Sequence, residues 1–101
     1  MSYNLIIKEE AHADLLNAYE YYERQQTELG ERFLASLLEA CQKLEKDPQH
    51  YSYIPEDPLK VLRDVKLKKF PFVVVFEIIS KDVIIYAVHN TGKKPGNKKK
   101  K

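Results

Sequence analysis

The sequence predicts an α+β domain with element order β-α-α-β-β-β, a helical hairpin packed on an antiparallel sheet. Three observations lead there. A short β-branched run opens the chain, two stretches of helical apolar spacing follow on either side of Gly30, and everything apolar after residue 60 is spaced as strands. The chain has 101 residues, 44% of them hydrophobic and 11% aromatic. That is enough for one core and one domain. The expected domain spans residues 1–95, with 96–101 a disordered Lys-rich tail.

Leu5-Ile6-Ile7 reads as the first strand. From about Glu9 the period changes. Ala11, Leu15, Ala18, Tyr19 and Tyr22 fall at i, i+4, i+7, i+8 and i+11, one face of a helix. Gly30 is the expected stop, supplying a left-handed cap. A second helix is expected from about Glu31 to Lys46, with Phe33, Leu34, Leu37, Leu38, Cys41 and Leu44 as its apolar stripe. Asp47-Pro48 ends it, because the residue before proline is pushed out of the helical region. The short connection makes the two helices antiparallel neighbours.

Residues 47–58 carry three prolines and read as an ordered loop. Val61, Val65 and Leu67 then alternate with Asp64, Lys66 and Lys68, a half-buried strand with one charged face. Phe72 to Phe76, continued by Ile78 and Ile79, is nearly unbroken apolar sequence and is expected at the sheet centre. Pro71 has no N–H for a ladder and belongs at the start of that strand. Val83 to Val88 is the last strand, reached through Ser80-Lys81-Asp82. Pattern alone does not place the first strand in the sheet.

Charge divides the chain. Residues 1–58 hold five Lys/Arg and twelve Asp/Glu, whereas 59–101 hold twelve Lys/Arg and three Asp/Glu. Such asymmetry points to an anionic partner for the basic half, and it survives removal of the four terminal lysines. The start of the chain lacks the basic, long-apolar pattern of a signal peptide, and no stretch approaches the ~20 apolar residues of a membrane span. A cytoplasmic protein without membrane association is expected. The single cysteine, Cys41, excludes an intramolecular disulfide.

Candidate site residues follow from these patterns. Lys66 and Lys68 share one strand face about 7 Å apart, suited to contacting nucleic-acid phosphates or a target, or else a solvated edge-strand face protected by lysine against edge-to-edge pairing. Arg63 breaks the alternation, pointing with Val61 and Val65. Either a bulge re-aims it or it pairs with a buried carboxylate or a backbone carbonyl; phosphate or partner contact is the alternative. His89, at a strand end before a basic segment that includes Lys93 and Lys94, is the candidate for proton transfer, against a structural role. His12, His50 and Cys41 are not at metal-ligand spacing, so no metal and no cofactor are expected.

Several motifs in this order resemble the RelE/ParE toxin superfamily. Glu10-Ala11-His12-Ala13-Asp14-Leu15 is similar to its helix entry. Tyr19-Glu20-Tyr21-Tyr22-Glu23 with Leu29-Gly30-Glu31-Arg32-Phe33 resembles the helical hairpin of the ParE-like branch. Leu44 with Pro48, Val61-Leu62-Arg63, Phe70-Pro71-Phe72-Val73-Val74-Val75-Phe76 and Ala87-Val88-His89 match in sequence order. The resemblance implies the toxin of a type II toxin–antitoxin (plasmid stabilisation or stress) system, silenced by a cognate antitoxin; the basic half suggests an acidic one. RelE-like members cut mRNA on the ribosome, whereas ParE-like members act on DNA gyrase. Nuclease members place an arginine where this chain has Val73, and an arginine and a tyrosine after the last strand, where this chain has only lysines. The expectation is therefore ParE-like and non-enzymatic. A RelE-like metal-independent endoribonuclease using Arg63, Lys66, Lys68, Lys93, Lys94 and His89, and a degenerate, non-toxic antitoxin binder, are the alternatives.

Overall fold

A computed structural model of the chain describes residues 2–91. Its elements are β1 (Asn4–Ile7), α1 (Glu9–Gln25), α2 (Leu29–Lys46), a short 3-10 helix (Pro48–His50), β2 (Leu62–Lys66), β3 (Phe72–Ile79) and β4 (Asp82–Asn90). The α+β class and the element order are those the sequence predicts. The four strands form one sheet in the order β1-β4-β3-β2. β2, β3 and β4 are an antiparallel meander, while β1 joins the far side of β4 in parallel, so the sheet is mixed. Parallel pairing is permitted by the connection. The whole helical hairpin and two strands separate β1 from β4, which allows a crossover that a tight turn forbids.

Both helices lie on one face of the sheet. Phe33, Leu37, Leu44, Ala11 and Ala18 from the hairpin meet Val65, Val74, Phe76, Val83, Ile85 and Val88 from the strands. Tyr22, Phe33, Phe70 and Phe72 pack edge to face or tilted, with centroids 5.0–6.1 Å apart, and fasten both helices to the start of β3. Val73 and Val75, of opposite pleat, are buried on the central strand without belonging to that cluster. Leu38 departs from the expected apolar stripe; it is 59% exposed, because the stripe that faces the sheet passes through Phe33, Leu37, Ala40, Cys41 and Leu44 instead. A register shift between Val75 and Phe76 leaves Tyr86 as the extra residue of β4, and its hydroxyl donates to Glu77 Oε1 at 2.7 Å.

The turn between the helices corrects the role expected of Gly30. The left-handed residue is Glu28, at φ 73°, and Gly30 is the second residue of α2. Glu23 accepts the Glu28 N–H at 3.1 Å and the Gly30 N–H at 2.9 Å, so its carboxylate satisfies two donors of the tight turn and the helix start. Glycine is required at 30 by contact rather than by φ. A Cβ there would sit 2.8 Å from Tyr19 Cδ1 and Cε1 and from Glu23 Oε1.

Candidate functional site

The seam between α2 and the end of β2 is where the basic residues gather. At 3.6 residues per turn, Arg32, Ser36, Glu39 and Lys43 form a stripe along α2 at i, i+4, i+7 and i+11. Opposite them the chain leaves β2 at Lys66, passes Lys68 and Lys69, and turns into β3. Lys69 takes a left-handed φ of 71° in that turn. Two hydrogen bonds fix the turn: Leu67 N–H donates to Phe72 O at 3.0 Å, and the Ser36 hydroxyl donates to Lys68 O at 2.7 Å. The second joins helix to turn and sets the width of the seam.

Two adjoining clefts result. One, of about 340 Å³, is lined by Lys43, His50, Tyr51, Lys66 and Lys68 around Ala40 and Val65. The other, of about 700 Å³, runs on past Arg32, Ala35, Lys69 and Phe70. Ser36, Glu39 and Lys68 line both, so the two form one groove. Lys68 Nζ lies 3.3 Å from Glu39 Oε2, with the two side chains 65% and 47% exposed. Such a pair contributes about 0–1 kcal/mol and orients Lys68 more than it stabilises the fold.

Arg63 lies outside this groove, in a brace. Its Nη1 donates to Tyr51 O at 2.7 Å and to Gln49 O at 3.3 Å, and its Nη2 donates to Tyr53 Oη at 3.0 Å. The guanidinium also sits 4.1 Å from the Tyr53 ring centroid. Of the options open in the sequence, the backbone-carbonyl pairing is the one the structure contains; the bulge of the sheet is elsewhere, and no carboxylate among the described residues partners this arginine. Tyr53 bridges Arg63, and Ile54 N–H donates to Leu62 O at 2.8 Å, so the proline-rich loop covers the outer edge of β2. Asp57 shapes the rest of the loop by accepting the N–H groups of Leu59, Val61 and Leu62 at 3.1, 2.8 and 2.8 Å. The Leu62 and Val61 bonds hold its carboxyl below the usual range.

His89 is exposed on β4, on the other seam. Among the described residues, its pocket is lined by Asp14, Asn17, Ala18, Tyr21, Phe72, Val88 and Asn90, none of them a lysine or arginine. Asp14 there accepts the Val88 N–H at 3.0 Å. The register aligns Lys66, Val73 and His89 in one cross-strand row. Two strand spacings, about 10 Å, separate the backbones of the outer two. Lys66 and Lys68 thus share a groove, while Arg63 and His89 are apart from it and from each other. Lys93 and Lys94 lie outside the described residues.

Sequence reasoning passed over Arg32, Lys43 and Lys69, and gave His50 little weight. The exposed stripe on α2 was the available signal, but it becomes a site only when β2 is laid beside it. Cys41 is buried in the core, where burial and then the nearby Glu45 push its thiol pKa up. No group of His, Cys, Asp and Glu side chains among the described residues is arranged to hold a metal ion. No described helix is long and apolar enough to cross a membrane.

The comparisons with known proteins agree with this architecture. The family model for the ParE toxin of the type II toxin–antitoxin system parDE matches residues 5–95. Among solved structures, a chain of the chromosomal ParDE toxin–antitoxin system from P. aeruginosa is similar in fold, with a TM-score of 0.75 and 22% sequence identity. The match covers 88% of this chain and 96% of that one. Among curated proteins, no sequence relative matches.

Proposed function

Because the chain belongs to the ParE toxin family of type II toxin–antitoxin systems, we propose that it acts in the cytoplasm by binding a protein target, DNA gyrase foremost, and that a cognate acidic antitoxin neutralises it. In this reading it carries no catalytic centre of its own. The single observation that supports this most is the dispersal of the groups a nuclease would need. Metal-free RNA cleavage requires a general acid or base within hydrogen-bond reach of a phosphate held by cations. Among the described residues, no cation lines the pocket of His89, Arg63 is committed to the carbonyls of residues 49 and 51, and Val73 occupies the place between His89 and Lys66. The cations that do converge lie along a groove with one carboxylate in its wall, a surface suited to recognition.

Lys66 and Lys68 are then contact residues and Arg63 a positioning residue for the loop. Induction of the chain without its antitoxin should arrest growth with a DNA-damage response while protein synthesis continues. Immediate cessation of translation accompanied by discrete mRNA cuts would replace this reading with a ribosome-dependent endoribonuclease. Growth unaffected at high expression of folded protein would leave only an antitoxin-binding, non-toxic chain.

A further inference from the structure

The two edges of the sheet differ. The β2 edge is covered by the proline-rich loop, through the Tyr53–Arg63 bridge and the bond from Ile54 N–H to Leu62 O. The β1 edge is bare. Asn4 N–H donates to Lys81 O at 2.9 Å and Lys8 N–H to Ile85 O at 3.0 Å, so residues 4, 6 and 8 turn their backbone groups toward β4. Leu5 and Ile7 turn theirs outward, two N–H and two C=O groups with no partner among the described residues. Proteins ordinarily blunt such an edge with charge, proline or a covering loop. The strand Asn4-Leu5-Ile6-Ile7 has neither charge nor proline, and Ile6 and Ile7 are 41% and 44% exposed.

The strand is complementary to itself in one register. An antiparallel copy must set outward-pointing residues opposite each other. Centring the pair on Leu5 would call on Tyr3, whose N–H already donates to Glu45 O at 2.8 Å. Centring it on Ile7 would call on Glu9, which belongs to α1. Centring it on Ile6 sets Leu5 of each copy against Ile7 of the other, and four hydrogen bonds satisfy every outward group of both strands. Ile6 then faces its own copy on the open side of the sheet, in a non-hydrogen-bonded pair with Cα atoms about 4.5 Å apart. Ile7 pairs with Ile85 on the helix side yet is exposed, so the helices leave room there for Leu5 of the copy. The ends match in charge. Lys8 comes opposite Asn4 of the copy, whose side-chain amide donates to Asp82 Oδ1 at 3.2 Å, so each ammonium comes within reach of the other copy's carboxylate.

We propose that the chain pairs with a second copy of itself through β1, antiparallel about Ile6, to form a two-fold dimer with one continuous eight-stranded sheet. The two-fold axis of an antiparallel pair stands perpendicular to the sheet, so both helical hairpins lie on the same side. The two α2 grooves are then at opposite ends, with the β2 strands about 34 Å apart at the usual strand spacing. Such a dimer offers a target two copies of the recognition surface at fixed separation. The pairing itself does not depend on the toxin reading. So short an edge buries less than the about 1,200 Å² of a standard interface, which makes the dimer concentration-dependent, with a Kd on the order of 10–100 µM.

The test is sedimentation equilibrium of the full chain between about 1 and about 300 µM, where the mean mass should rise from monomer toward dimer. Ile6→Lys, which sets two ammonium groups face to face, should stay monomeric throughout. Leu16→Lys removes an equally exposed apolar side chain from α1 and should dimerise within about twofold of the parent. Register is read by cysteine linkage under a mild oxidant. Ile6→Cys should give a covalent dimer, since about 4.5 Å between Cα atoms suits a disulfide, whereas Asn4→Cys should not, its two copies being about 13 Å apart. Circular dichroism checks that each variant is folded, and if Ile6→Lys is not, the cysteine pair decides alone. A parent monomeric at the highest concentration, its β1 edge free or taken by a strand of another protein, would overturn the proposal. So would a dimer that survives Ile6→Lys, one lost equally in Leu16→Lys, or linkage no faster through Ile6→Cys than through Asn4→Cys.

Discussion

Replacing Gly30 with alanine sets two effects of opposite sign against each other. Gly30 is inside α2, and a Gly→Ala change in a helix ordinarily stabilises by about 1 kcal/mol. The added Cβ, however, would lie 2.8 Å from two carbons of the Tyr19 ring and from Glu23 Oε1. If Glu23 yields, its bonds to the Glu28 and Gly30 N–H groups are lost, at about 1 kcal/mol by analogy with other helix caps. If the Tyr19 ring yields, the hairpin repacks, and overpacking of this kind costs about 1–3 kcal/mol. The Cβ meets both groups, so both must give. Their combined cost of about 2–4 kcal/mol exceeds the gain of about 1 by at least about 1 kcal/mol, each kcal/mol lowering the melting temperature by about 4–8 °C in a domain of this size. Urea and thermal unfolding measure it. In a Tyr19→Ala background the same substitution should lose most of its penalty, since its main steric partner is gone. A Gly30→Ala chain more stable than the parent would refute the close-contact reading and leave only helix propensity.

Three further outcomes follow from the same contacts. Phe33→Ala removes a fully buried ring at the meeting of both helices and the sheet, and should cost about 3–5 kcal/mol in urea unfolding. Arg63→Ala should destabilise by about 1–3 kcal/mol through the lost charged hydrogen bonds, and should speed amide exchange at Ile54 as the loop loosens from β2. Asp57 has a carboxyl pKa lowered in the folded chain, so its contribution is present above its unfolded value near 3.8 and is lost as pH falls through the lower folded value. Asp57→Asn should flatten that part of the stability–pH curve, and amide exchange at Leu59, Val61 and Leu62 should quicken in the variant at neutral pH.

Much of the fold was legible because its elements are strongly periodic. The apolar spacing from Ala11 to Tyr22 and from Phe33 to Leu44 gives both helices, and the run from Phe72 to Phe76 gives the central strand. Each pattern reflects burial on one side or on both. What stayed hidden depends on contacts between distant residues. The parallel seat of β1 beside β4 leaves no local trace, since Leu5-Ile6-Ile7 would serve as well in an antiparallel pair. Gly30 looked like a helix end because glycine so often is one; only the Tyr19 ring beside it explains its place inside α2. The site was less legible than the fold. Lys66 and Lys68 stand out by alternation, but Arg32, Lys43 and Lys69 join them only through the packing of α2 against the β2–β3 turn. Arg63 looked like an anomaly in the strand and is a brace for the loop that covers it.

The central claim, action by contact with a protein target and without a catalytic centre, is tested most directly with purified components. DNA gyrase should lose supercoiling activity when the purified chain is added, Lys66→Glu/Lys68→Glu should relieve that inhibition, and His89→Ala should leave it intact. Ribosomes programmed with mRNA should meanwhile yield no cleavage products. Unimpaired gyrase together with mRNA cleavage that disappears in His89→Ala would contradict the account.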